Sequence, residues 1–145
     1  MPTRSARTQW TGGLQDGTGT VTLVSSGVGA YEVSFPKRAA DNADGTTSPE
    51  ELIAAAHTAC FAMQFSALLG AAGGSDQSLD VTADVTLGPD PAGGFRISGI
   101  ALTARGSAQG VTAEDFGKIA QEAKAACPVS KALAGTEITL RVDPD

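Results

Sequence analysis

Hydrophobic side chains recur along this chain with two different periods, and each period predicts the kind of element that a stretch forms. Apolar residues alternate with aspartate and threonine over 78–87, and a second run of the same kind covers 95–104. Such alternation is typical of strands with one buried face. Because the connecting segment 88–94 is rich in glycine, proline and aspartate, we predict that these two strands form a hairpin.

Shorter alternating runs predict four further strands. They occupy 6–10, 19–25, 31–35 and 137–142. The segment 39–47 is polar and full of helix breakers, and we expect a loop there. We therefore predict an α+β fold with mostly antiparallel strands packed on helices. The length of 145 residues favours a single domain, 1–145.

The longest apolar stretch, 48–70, predicts one helix. Ser48 is a suitable N-cap, Pro49 suits the first helical position, Glu51 completes a capping box, and Gly70 is a suitable stop. The roughly 18 residues after the acidic first turn carry no formal charge if the histidine is neutral, and they would span about 27 Å, close to the thickness of a membrane. Many of them are alanine or polar, and the rest of the chain has a globular pattern. We therefore expect the core helix of a folded assembly and no membrane span.

A second capped helix is predicted to begin at Thr112, with Phe116 and other apolar residues on one face. It stops where Pro128 follows Cys127, and a short helix over 129–133 comes next. Cys127 would cap that short helix. Exposed backbone N–H groups at such a position favour a thiolate.

Composition restricts the function classes. The formal net charge of −6 argues against nucleic acid as a partner, since phosphate binding needs a positive surface. The polar start of the chain shows no signal peptide, so we expect a cytoplasmic location. Two cysteines in a reducing compartment are more often chemical than structural.

The two cysteines, Cys60 in the long helix and Cys127 at the helix break, are candidates for a reactive and a resolving thiol. Simple packing is the alternative for Cys60, because free cysteines are commonly buried. His57 precedes Cys60 by one helical turn. Three classes of site find little support: a closed zinc site lacks ligands, a Cys–His hydrolase lacks an orienting group, and no glycine-rich loop indicates nucleotide binding.

An arginine could stabilise a thiolate, and Arg38, held by the carboxylate of Glu50, is the candidate. Glu50 and Cys60 lie ten residues apart, which is about 15 Å along a helix. An arginine bound to Glu50 therefore cannot easily reach Cys60 of its own helix. We hypothesise a homodimer in which Arg38 and Glu50 of one chain act on Cys60 and Cys127 of the other.

The segment SPEELIAAAHTACFAM at 48–63, followed by CPVS at 127–130, resembles the OsmC/Ohr family of osmotically inducible and organic hydroperoxide resistance proteins. The AAHxACF form is similar to the OsmC branch. The resemblance extends over essentially the whole chain. It implies an intertwined α+β homodimer with two central helices and two active sites at the interface. It also implies a thiol peroxidase that reduces organic hydroperoxides and, more weakly, hydrogen peroxide.

By this resemblance Cys60 is the peroxidatic cysteine and Cys127 the resolving cysteine, and the two form a disulfide. Glu50 matches the carboxylate that orients the catalytic arginine, Arg38, with Lys37 as the alternative and Arg7 as a remote third. The resemblance further implies that the protein has no resident cofactor and is recycled by an external dithiol such as a lipoyl group. The competing hypothesis is a non-enzymatic dimeric stress or small-molecule-binding protein.

Overall fold

The strands form two separate three-stranded sheets, and the fold is α+β as predicted. The computed structural model describes every residue, Met1–Asp145. In chain order the elements are β1 (Arg7–Thr11), β2 (Thr18–Thr22), β3 (Ala30–Val33), α1 (Phe35–Arg38), α2 (Pro49–Ala71), β4 (Ser75–Pro89), β5 (Phe95–Gln109), α3 (Ala113–Ala126), α4 (Pro128–Ala132) and β6 (Ile138–Pro144). The residues group into two compact units, Met1–Leu52 and Ile53–Asp145, and the single domain stays a prediction.

The first unit contains the antiparallel sheet β1–β2–β3 and the short helix α1. The prediction that Phe35 ends a strand is wrong, because Phe35 begins α1. Ser34 caps this helix by accepting a hydrogen bond from the Lys37 amide, and Pro36 suits its first turn. The predicted cap of α2 is confirmed: Ser48 Oγ accepts from the Glu51 amide at 3.2 Å.

The second unit contains β4, β5 and β6. The predicted hairpin is confirmed, since β4 and β5 pair antiparallel along almost their whole length. The last strand, β6, pairs with β5 in parallel. The core of the second unit includes an edge-to-face contact between Phe65 of α2 and Phe116 of α3, with ring centroids 4.8 Å apart.

Within the second unit, α2 buries one stripe of side chains and leaves other apolar faces exposed. The fully buried residues recur every four positions, at His57, Phe61, Phe65 and Leu69. The length of α2 and its mean hydropathy of 1.6 would allow it to cross a membrane. Core helices of soluble proteins often have the same length and hydropathy, but only 22% of this apolar segment is buried. The helix also continues one residue beyond Gly70, where we expected it to stop.

Candidate thiol site

The structure brings Cys60 and Cys127 together. Cys60 lies in the middle of α2, and Cys127 lies at the break between α3 and α4. Their sulfur atoms are 3.2 Å apart, and both thiols are free. Cys127 is fully buried, whereas Cys60 is partly exposed. A reagent can therefore reach Cys60 first, with Cys127 directly behind it.

The two thiols have opposite tendencies to ionise in the isolated chain. Burial raises the pKa of Cys60, and the neighbouring Cys127 raises it further, although the Val129 amide opposes this. Burial also opposes ionisation of Cys127, but the Ser130 amide, the Cys60 thiol and the Ser130 hydroxyl outweigh it and lower the pKa. Cys127 is the N-cap residue of α4, where the free backbone N–H groups of the first turn favour a thiolate. Burial and the neighbouring thiol thus oppose ionisation of Cys60, and a nearby positive charge would favour it.

A cation suited to this role is held in the first unit. Arg38 Nη2 donates to Glu50 Oε1 at 2.6 Å, and Arg38 Nε is 3.1 Å from both carboxylate oxygens. Burial raises the pKa of Glu50, but the hydrogen bond from Arg38, its own backbone amide, the charge of Arg38 and the Ser48 hydroxyl together outweigh burial, so the net shift is downward. Lys37 instead pairs with the exposed Asp44. The geometry thus favours Arg38 over Lys37 as the partner of Glu50.

An apolar cavity of about 290 Å³ lies beside Arg38 in the first unit. Trp10, Leu14, Phe35 and Pro49 line it. No local sequence pattern predicts this cavity, because its lining comes from separate segments of the chain. Phe61 and Phe65, which lie near Cys60 along α2, do not line this cavity and are fully buried in the core.

Sequence reasoning also missed a polar pair next to the cysteines. His57 Nε2 lies 2.7 Å from Ser130 Oγ, and both residues are buried. Burial lowers the pKa of His57, which favours the neutral imidazole. The only sequence feature that pointed to this pair was Ser130, the serine of the CPVS segment. Its partner, however, lies 73 residues earlier in the chain.

Comparison with known proteins identifies the family. The profile described as OsmC-like protein matches residues 41–143. The chain is 42% identical over 137 residues to the protein named peroxiredoxin OsmC of Escherichia coli K12, covering 94% of this chain and 93% of that protein. This chain belongs to the OsmC family.

Solved structures agree with that assignment. An organic hydroperoxide resistance protein of Elizabethkingia anophelis superposes with a TM-score of 0.78 at 32% identity, covering 100% of this chain and 98% of the other. OhrB of Bacillus subtilis, also an organic hydroperoxide resistance protein, gives 0.73 at 26% identity, with 96% and 98% covered. The segment matched by the OsmC profile includes Glu50, Cys60 and Cys127, and it begins just after Arg38.

Proposed function

We propose that this OsmC family member is a thiol-dependent peroxidase that reduces organic hydroperoxides and, more weakly, hydrogen peroxide. The observation that carries the proposal is the 3.2 Å separation of the Cys60 and Cys127 sulfur atoms. A partly exposed thiol with a buried thiol in contact is the arrangement that a two-cysteine redox cycle needs. The names of the relatives support an oxidoreductase of the peroxidase type.

In the first step the Cys60 thiolate attacks the terminal oxygen of the hydroperoxide. The O–O bond breaks, the terminal OH is transferred to the Cys60 sulfur to give a sulfenic acid, and the leaving alkoxide takes up a proton from solvent to become the alcohol. Arg38 would stabilise the thiolate and the charge that develops on the leaving oxygen, as a preorganised cation does. Its guanidinium is already oriented by Glu50.

In the second step Cys127 attacks the oxidised sulfur of Cys60, a disulfide forms, and the oxygen leaves as water. This prevents oxidation to the sulfinic acid. An external dithiol then restores both thiols by exchange and becomes a disulfide itself. We propose a lipoyl group as this reductant and a cytoplasmic setting, with no resident cofactor.

We further propose a homodimer in which Arg38 and Glu50 of one chain serve Cys60 of the other. The helix α2 runs without interruption from Pro49 to Ala71, so Glu50 and Cys60 are about 15 Å apart along its axis. The same helix exposes apolar surface, including Met63 at 74% exposure, which a second subunit would cover. The apolar cavity beside Arg38 would then take the organic tail of the hydroperoxide.

The test is intact mass and free-thiol count before and after one equivalent of cumene hydroperoxide, with no reductant present. We expect both thiols to disappear and the mass to fall by two hydrogen atoms per chain. Survival of both thiols would refute the peroxidase and favour the dimeric binding protein. In Cys127→Ser we expect oxygen addition to Cys60 instead, and loss of turnover with a dithiol reductant.

A further inference from the structure

Four side chains form two parallel contacts between α2 and the α3–α4 break. On α2, His57 precedes Cys60 by three residues, and in the other segment Ser130 follows Cys127 by three. The sulfur atoms make one contact at 3.2 Å, and His57 Nε2 and Ser130 Oγ make the other at 2.7 Å. Residues three apart in a helix lie on the same face. The polar contact is therefore one turn away from the sulfur contact.

The polar contact lies in a place where polar groups are costly. His57 is fully buried, and Ser130 is 7% exposed. His57 Nδ1 is buried and has no hydrogen-bond partner. An unsatisfied buried polar atom costs free energy, and a leucine at this position of the core stripe would avoid that cost. The cost indicates that the His57–Ser130 pair contributes more than packing.

We propose that His57 and Ser130 are positioning residues for the resolution step, fixing the Cys127 sulfur at reaction distance from Cys60 and supporting its thiolate. The inference rests on the proposed peroxidase function, and it assigns a role that the cysteines, Arg38 and Glu50 do not fill. The Ser130 hydroxyl already favours ionisation of Cys127.

The donors and acceptors of His57 and Ser130 determine which tautomer of His57 would stabilise the Cys127 thiolate. If His57 Nε2–H donates to Ser130 Oγ, the serine hydroxyl is free to donate to the Cys127 sulfur. His57 Nδ1 is then the unpaired acceptor.

During resolution the Cys127 thiolate attacks the Cys60 sulfur and the S–O bond breaks. The departing oxygen leaves as water, carrying the sulfenic proton and the proton that Cys127 gave up.

Ser130→Ala tests this role, with the exposed Ser107→Ala as the matched control. Stopped-flow oxidation with cumene hydroperoxide separates sulfenic acid formation from disulfide formation. We expect Ser130→Ala to leave the first step within about two-fold and to slow disulfide formation about ten-fold, as loss of a hydrogen bond to a charged group implies. In a Cys60→Ser background, the pH dependence of thiolate absorbance should show a raised Cys127 pKa in Ser130→Ala.

A second pair of variants separates a loss of the proposed role from a loss of folding. His57→Leu removes the donor and should behave like Ser130→Ala, whereas His57→Gln keeps a nitrogen donor near the Nε2 position and should restore most of the resolution rate. A wild-type rate of disulfide formation in folded Ser130→Ala would overturn the inference. Equal slowing of both steps with an unchanged Cys127 pKa would also overturn it. If the wild-type protein forms no disulfide at all, the peroxidase proposal itself fails.

Discussion

At the scale of single residues, two adjacent cations have different surroundings. Arg38 makes a forked contact with Glu50, which is 8% exposed, whereas Lys37 meets an exposed aspartate in solvent. Exposed ion pairs contribute little free energy, but a planar guanidinium on a buried carboxylate is fixed in orientation. The fixed cation is the one that can be preorganised for chemistry.

We therefore expect Arg38→Ala to lower kcat/KM for an organic hydroperoxide about a hundred-fold, the range for loss of one preorganised charge. Arg38→Lys should recover only part of the activity, because an ammonium cannot reproduce the fork. Lys37→Ala is the matched control and should stay within about two-fold of wild type. Steady-state kinetics with a dithiol reductant decide the matter, and the reverse ranking of the two alanine variants would assign the role to Lys37.

The Glu50 carboxylate also predicts an acid dependence of stability. Burial raises its pKa, but Arg38, the backbone amide and the Ser48 hydroxyl together lower it below the ordinary value of 4.5. A lowered pKa gives stability that is complete above the unfolded value and is lost as the pH falls through the folded value.

Glu50→Gln should thus be less stable than wild type near neutral pH, and the difference should shrink as the pH falls below about 4.5. Urea unfolding at a series of pH values measures both proteins. Asp44 and Asp143, whose pKa values are also lowered, remain in both and cancel in the difference. A difference that is constant down to about pH 2 would contradict this assignment.

At the scale of elements, local sequence patterns predicted the features that depend on neighbouring residues alone. The β4–β5 hairpin followed from alternation and turn composition, and the start of α2 followed from the Ser48 cap. The parallel pairing of β6 with β5 could not be predicted, since strand direction depends on the chain path between them. The His57–Ser130 contact was equally hidden, because no local pattern records a partner 73 residues away.

The hairpin contains one position where only glycine fits. The pairing is irregular between Ser75 and Ser78, and nearby Gly106 of β5 has φ of 137°. A Cβ atom at Gly106 would overlap the Ser78 carbonyl oxygen. The left-handed backbone and the overlap both oppose any side chain there.

Gly106→Ala should therefore destabilise the protein by about 3 kcal/mol, from backbone strain and steric overlap together. Gly99 on the same strand is the control: its φ is not in the left-handed region, and a Cβ there meets no atom within 4 Å. Chemical denaturation should show Gly99→Ala close to wild type. Equal stability of the two variants would mean that the strand irregularity can relax.

At the scale of the whole molecule, the proposed site needs residues from two chains. The exposed apolar surface of α2 provides a reason to associate, and the length of the same helix separates Glu50 from Cys60 within one chain. Cyclic dimers with two-fold symmetry contain two identical shared sites. Such an arrangement predicts that two inactive variants can complement each other.

Alone, Arg38→Ala should keep only about a hundredth of the activity and Cys60→Ser none, but subunit exchange between them should restore activity. In a mixed dimer, one site combines the intact Arg38 of one chain with the intact Cys60 of the other, and the second site lacks both. With random exchange at equal concentrations, half of the dimers are mixed and each has one working site, so about a quarter of wild-type turnover should return. Peroxide reduction coupled to a dithiol measures this, with mixed dimers counted by native mass spectrometry. If mixed dimers form and no activity returns, Arg38 and Cys60 of the same chain must act together, and the shared site is wrong.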